Sequence, residues 1–267
     1  MSTPLVFQTA TASHVGKVRK VNEDSLLARP DIGLWAVADG MGGLGGGDIA
    51  SGAVVAALDT IKNADTAAEL LAQFEHRVIR ANSEVRSLAR ARPSGLMGTT
   101  LAAVLIRQPY YACLWCGDSR VYLWRDGAMG QISHDHSEVQ DLIDRGVLDR
   151  AEAKTWPGRN IVTRAIGVAV EAELELGEGM IAAGDRFLLC SDGLTNHVDD
   201  TEIAAALGGD DPKRACEDLI DLTLQRGASD NVSVVIIACE FSARTAVADA
   251  SWRAAAAAAS VRAPEGG

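Results

Sequence analysis

The chain has 267 residues, of which 48% are hydrophobic, enough for one large domain or two small ones with an ordinary globular core. Its formal net charge of −11 argues against nucleic acid or an anionic membrane surface as a partner, since both are bound by an excess of Lys and Arg. No run approaches the ~18 apolar residues of a membrane span. The opening MSTPLVFQTATASHV lacks a basic region and a continuous apolar core, so the expected location is the cytoplasm.

In chain order, GLWAVAD (33–39) reads as a strand and DIASGAVVAALDTI (48–61) as a helix, followed by a longer helix over 67–90. Strands are expected at 99–106, 110–118 and 120–127, the last joined to AMGQIS by an RDG hairpin turn. HSEVQDLIDRG (136–146) has helical spacing, 172–179 and 185–192 read as strands, 210–227 as a helix and 231–240 as a final strand. Strands meander between paired helices rather than alternating with single ones, which favours an α+β layered sandwich over a doubly wound sheet. The Ala-rich 242–267 stretch has little to pack with and is expected to be a flexible tail. Cys113 and Cys116 have the CxxC spacing of a metal or redox pair, but residues three apart on a strand face opposite sides, so core thiols are expected.

Acidic residues recur where strands end or Gly-flanked turns begin: Glu23 and Asp24 in VNEDS, Asp39 in ADGMGG, Asp118 in CGDSR, Asp192 in CSDGL and Asp230 in SDNVS. Taken singly, each has the ordinary explanation of a turn or loop cap. Converging, they would repel one another, and hard divalent cations with oxygen ligands would neutralise them, Mg²⁺ or Mn²⁺ rather than zinc. The glycines after Asp39 would let the backbone turn sharply and present a carbonyl, that of Gly40.

The ordered series RKVNED, DGMGG, GDSR, SDG and SDN, with HDHSEVQDLIDRGVLDRAEA and NIVTRAIG, resembles the metal-dependent serine/threonine protein phosphatases of type 2C, in their bacterial single-domain form. The resemblance runs from about residue 8 to 240. It implies a four-layer α/β/β/α sandwich of two antiparallel sheets flanked by helices, one domain over 1–241 and a flap at about 135–168. It also implies a two-metal centre of Mn²⁺ or Mg²⁺. Asp39 would bridge the two ions, the Gly40 carbonyl would sit on the second, and Asp192 and Asp230 would complete the first. Glu23 would serve the second ion directly or through water, and Asp24 would hold outer waters. Asp118 with Asp192 would supply a third, weaker site, and Arg19 would clamp the substrate phosphate.

The implied chemistry rests on charge. A phosphomonoester dianion would be expelled by so many carboxylates unless metals inverted the local sign, and two metals also make hydroxide available near neutral pH. Arg19 would supply a planar, always-charged fork matched to two phosphate oxygens. The expected reaction is hydrolysis of phosphoserine and phosphothreonine in proteins by a monomer opposing a bacterial Ser/Thr kinase. The run WPGRNIVTRAIGV resembles phosphatases of type VI secretion regulation. Two alternatives stand beside it: a phosphatase-like regulatory binding module, and a hydrolase of a small phosphate ester.

One departure is plain. Where eukaryotic relatives carry DGHGG, this chain has Met41, which donates no proton. His134 and His136 are the nearest histidine motif but read as turn or helix-start residues. Thr99 and Thr100 read as strand-start residues, Ser119 has no His–Asp arrangement to make it a nucleophile, and Arg120 either orients Asp118 or is exposed. Trp156 would anchor the flap or a partner, or pack in the core.

Overall fold

The computed structural model describes residues 5–42, 46–92 and 95–241. Eleven strands and seven helices occur in chain order among them: β1 (Leu5–His14), β2 (Asp24–Arg29), β3 (Leu34–Met41), α1 (Gly47–Asp59), α2 (Ala67–Arg90), β4 (Gly98–Thr99), β5 (Leu101–Arg107), β6 (Tyr110–Cys116), β7 (Arg120–Arg125), β8 (Ala128–Gln131), α3 (Glu138–Asp144), α4 (Arg150–Ala153), β9 (Glu175–Met180), β10 (Arg186–Cys190), α5 (Asp192–Thr195), α6 (Asp200–Leu207), α7 (Pro212–Gln225) and β11 (Val232–Phe241). One antiparallel sheet has the order β1-β11-β10-β7-β8. The other runs β2-β3-β5-β6-β9, with β4 paired to β3.

The two-residue period of the strands builds four layers. In β3, Trp35 and Val37 face the β1-β11-β10-β7-β8 sheet, while Leu34 and Ala36 face α1 and α2. In β5, Ala102, Val104 and Ile106 point between the sheets, and Leu101, Ala103 and Leu105 point toward the helices. In β11, Val235, Ile237 and Cys239 join the inter-sheet core, and Val232, Val234 and Ile236 pack with α6 and α7. Strands buried on both faces explain the unbroken apolar runs in the sequence. The α+β four-layer sandwich of two antiparallel sheets flanked by helices is therefore the observed architecture.

The same period separates the cysteine pair. Cys113 lies between the sheets and Cys116 on the helix side, both buried and reduced, with burial pushing the Cys116 thiol up to about 12.

Several elements differ from the sequence reading. β1, rich in Thr, Ala and Ser, was not expected; it is an edge strand paired with β11 from Leu5↔Phe241 to His14↔Val232. The strand expected at 99–106 is broken at Thr100 into β4 and β5, and Thr100 turns to hydrogen-bond Asp39. The expected tail at 242–267 lies outside the described residues.

The segment 135–168 holds α3 and α4 and is tied back at both ends. The His136 amide donates to the Gly117 carbonyl at 2.9 Å, and Thr99 and Ile166 exchange two backbone hydrogen bonds of 3.0 and 2.9 Å. Asn82 on α2 fixes the exit, accepting from the Gly167 amide at 2.6 Å and donating to the Ala169 and Val170 carbonyls. Trp156 is half-buried in this segment.

Candidate metal centre

The predicted site residues meet at one edge of the sandwich, delivered by elements distant in sequence. Asp24 and Asp39 are register partners on β2 and β3 and so share a face of that sheet. Asp118 comes after β6 through Gly117, whose φ of +111° and crowding against Thr100 leave no room for a side chain. Asp192 is the first residue of α5, separated from β10 only by Ser191. Asp230 lies in the connection from α7 to β11.

These carboxylates sense one another. Burial, then repulsion from Asp24, Asp192, Asp118 and Asp230, holds Asp39 well above the ordinary carboxylate range. Burial, then Asp192 and Asp135, does the same to Asp118. Burial, then Asp230, raises Asp192. Asp24 is raised to about 6, chiefly by burial, against the opposing bonds of Ser233 and Ser191. Ser191 Oγ donates to Asp24 Oδ2 at 2.9 Å, but Asp24 Oδ1 is buried and has no hydrogen-bond partner.

Asp24 Oδ1 and the mutual repulsion fit a cation-bearing site: each is costly without positive charge and relieved by it. Among the described residues no group of three or more His, Cys, Asp or Glu side chains forms a ready-made ligand cage. Carboxylates, a backbone carbonyl and retained waters are the oxygen ligands that Mg²⁺ and Mn²⁺ take.

Glu23 and Gly40 sit where β3 meets α1. The Gly47 amide, at the start of α1, donates to Glu23 Oε1 at 3.1 Å, and the Glu23 carbonyl accepts from the Gly40 amide at 3.1 Å and from Ser51 Oγ at 2.6 Å. A Cβ on Gly40 would stand 2.1 Å from the Gly47 carbonyl oxygen and 2.5 Å from that of Glu23. β3 continues through Gly40 to Met41. Gly40 admits the close approach of α1 and of the Glu23 carbonyl. Residues 43–45 of the glycine run lie outside the described residues.

Arg19 reaches over the rim of the site. Its Nη2 donates to Asp230 Oδ2 at 2.7 Å while its side chain stays 53% exposed. Arg120 instead clamps Asp135 through Nε and Nη2 at 2.9 and 2.7 Å and donates to the Tyr122 hydroxyl, with its charge lowering the Asp118 carboxyl against burial. Of the two expectations for Arg120, orienting Asp118 or exposed, neither describes it fully: it is a half-buried ion pair beside the site. Neither histidine of SHDHS offers itself as an acid there. His134 pairs with Asp144 at 2.6 Å, and buried His136 accepts from the Gly117 amide through Nδ1 at 3.1 Å, with Nε2 3.1 Å from Glu175.

Three supports were missed by sequence reasoning. Thr99 and Thr100 do more than open a strand. Thr99 Oγ1 donates to the Asp39 carbonyl at 2.9 Å, the Asp39 amide donates to Thr100 Oγ1 at 3.1 Å, and Thr100 Oγ1 contacts Ser119 Oγ at 2.7 Å. Asn231 is the third. Its oxygen accepts from the Glu23 amide at 2.8 Å, and its Nδ2 donates to the Val15 and Val21 carbonyls at 2.9 and 3.0 Å. The asparagine of SDN was the only signal for it.

The sandwich and its acidic edge define a phosphatase fold of the 2C type, and a family model described as "Protein phosphatase 2C" matches residues 12–231: the chain belongs to that family. It is 41% identical over 234 residues to the serine/threonine protein phosphatase PstP of Mycobacterium tuberculosis, a match covering 87% of this chain and 45% of that protein. The chain thus spans about half the length of this curated relative. Among solved structures, PppA, a key regulatory component of T6SS in Pseudomonas aeruginosa, is 40% identical with a TM-score of 0.82, covering 88% of this chain and 98% of that one. The catalytic domain of PstP in complex with two manganese ions is 39% identical with a TM-score of 0.80, covering 89% of this chain and 100% of that one.

Proposed function

We propose that the chain is a metal-dependent protein serine/threonine phosphatase whose catalytic domain spans 1–241, with residues 135–168 as its flap. The observation that carries this reading is the convergence of Asp24, Asp39, Asp118 and Asp192 from four separate places in the chain, each raised by burial and by at least one neighbouring carboxylate. Such an arrangement wants divalent cations.

Asp39, Asp192 and Asp230 would hold one Mn²⁺ or Mg²⁺ ion, and Asp39, the Gly40 carbonyl and Glu23 the other. Asp24 would order waters beneath them, and Asp118 with Asp192 would serve a weaker third ion. When bound, the ions supply Lewis acidity, offset the charge of the phosphate dianion and bring the pKa of water toward neutrality. Thr99 and Thr100 hold the Asp39 backbone from both sides, and Asn231 fixes Glu23 against the Asp230 turn. Arg19 would exchange Asp230 for two phosphate oxygens and orient the ester. Position 41 contributes no proton, and His134 and His136 are engaged elsewhere.

The likeness to PppA and PstP supports a substrate among phosphoproteins made by a Ser/Thr kinase in the cytoplasm, with regulation of type VI secretion as one setting. No helix of the described residues is long and apolar enough to cross a membrane. The test compares phosphoserine, phosphothreonine and phosphotyrosine peptides and an aryl phosphate with Mn²⁺, Mg²⁺ or chelator. Hydrolysis of the first two peptides only with metal is expected. Hydrolysis of the aryl phosphate alone would favour the small-ester reading, and no hydrolysis the binding module.

A further inference from the structure

Residues Lys17, Val18, Arg19, Lys20 and Val21 are exposed without interruption, with Val18 at 67% and Val21 at 51%. This stretch is nonetheless anchored. At its start, Gly16 has a φ of +79° and lies so close to the Asp230 and Ala228 carbonyls that a Cβ would stand 2.2 and 2.7 Å from them. The Lys17 amide donates to the Ala228 carbonyl at 2.9 Å. The Asn231 side chain then grips the Val15 and Val21 carbonyls at the two ends of the loop. A short loop whose backbone is pinned at both ends by one buried amide keeps its place at the rim rather than swinging as a floppy tip.

Its charge is unlike that of the protein around it. In a chain of net charge −11, three cations in four residues stand at the rim of an acidic centre. Arg19 is spent on Asp230, but the ammonium groups of Lys17 and Lys20 make no hydrogen bond or ion pair among the described residues. Exposed lysines are often only solvated. These two, however, flank the arginine proposed to take the phosphate, within ~7 Å of chain on either side at ~3.5 Å per residue.

Resting on the phosphatase reading above, we propose that the Lys17–Val21 loop is a substrate-docking element that selects acidic residues within two or three positions of the phosphoresidue. A phosphopeptide laid across Arg19 brings its neighbouring side chains over Lys17 and Lys20. Carboxylates there meet unpaired ammonium groups, while lysines there meet like charge. Val18 between the cations and Val21 after them provide apolar contact. Such rim pairs act on encounter and orientation more than on the chemical step, and they weaken with salt.

The experiment uses three phosphothreonine peptides, identical except for Glu, Ala or Lys on both sides of the phosphoresidue. Each is measured as kcat/KM with Mn²⁺ at low and raised salt. The proteins are the wild type, Lys17→Ala/Lys20→Ala and Lys17→Glu/Lys20→Glu, each referenced to its own turnover of an aryl phosphate. The wild type should favour Glu over Lys flanks by about threefold to tenfold at low salt. The alanine variant should flatten that ratio and the glutamate variant reverse it, with the preference shrinking in salt. The same ranking in all three proteins overturns the docking assignment. Wild-type hydrolysis of the aryl phosphate with none of any peptide overturns the phosphoprotein reading itself, a separate result.

Discussion

Arg19 Nη2 lies 2.7 Å from Asp230 Oδ2, so the guanidinium proposed to take the substrate phosphate rests on a carboxylate proposed to take a metal. The two partners are 211 residues apart in sequence and meet because Asn231 draws the loop carrying Arg19 onto the Asp230 turn. In the proposed reading charge would govern the exchange: a cation held by Asp230 would offset the carboxylate and free Arg19 for the phosphate dianion. Arg19→Ala is expected to raise KM for a phosphopeptide by the equivalent of about 1.5 to 3 kcal/mol, the range for a hydrogen bond to a charged group, with a smaller effect on kcat. Arg19→Lys should recover only part of this, because an ammonium lacks the planar fork. Steady-state kinetics decide it, and unchanged KM and kcat in Arg19→Ala would make Arg19 a surface residue.

Asn231 should matter out of proportion to its size. Asn231→Ala removes three hydrogen bonds of 2.8 to 3.0 Å and strands the Glu23 amide and two carbonyls. A loss of about 2 to 4 kcal/mol is expected by urea unfolding, with reduced turnover because Glu23 and Arg19 both lose their anchor. A loss below about 0.5 kcal/mol, the level of an ordinary surface substitution, would contradict the pin.

The metal-free protein should show the cost of Asp24. Its carboxyl moves from an ordinary 3.8 to about 6 on folding, so the folded state holds that proton more tightly than the unfolded chain. Stability from this group is then present at low pH and lost as pH rises from about 4 through 6. In chelator, Asp24→Asn should melt higher than wild type at pH 7, by on the order of 2 kcal/mol, and the gain should vanish near pH 4. Thermal melts at the two pH values measure it. A gain that grows toward low pH would have the wrong sign.

Met41 marks the departure from the histidine-bearing motif, and it is half-buried at the end of β3, paired with Gly98. An aryl phosphate needs little leaving-group protonation, and an alkyl phosphoserine needs much. Met41→His is expected to raise turnover of a phosphoserine peptide severalfold relative to the aryl phosphate, a fraction of the ~10²–10⁴ that general acid catalysis can supply. Metal content must stay unaltered, since an imidazole there can also capture an ion. Equal change for both substrates would remove any acid role from position 41.

The features legible in the sequence and those hidden in it divide along a physical line. Cys113 and Cys116 were legible as core residues because a strand's period is local. The long apolar runs of β3, β5 and β11 were legible because burial on two faces leaves no polar interruption. The acidic positions stood out because short motifs keep their order. β1 was hidden because Thr, Ala and Ser suit an edge strand without announcing one. The close approach of α1 to Gly40 was hidden, since only the folded chain shows it. Asn231 and Thr100 were hidden for the same cause: their partners are 208 and 61 residues away, and no local pattern reports such a contact.

The central claim is that Asp39 organises a two-ion centre, and calorimetric titration of Mn²⁺ into the metal-stripped wild type and Asp39→Asn tests it most directly. Two tight equivalents per chain are predicted for the wild type and neither for Asp39→Asn, with loss of phosphopeptide hydrolysis alongside. Two undiminished equivalents in Asp39→Asn, or full hydrolysis by the wild type in chelator, would contradict it.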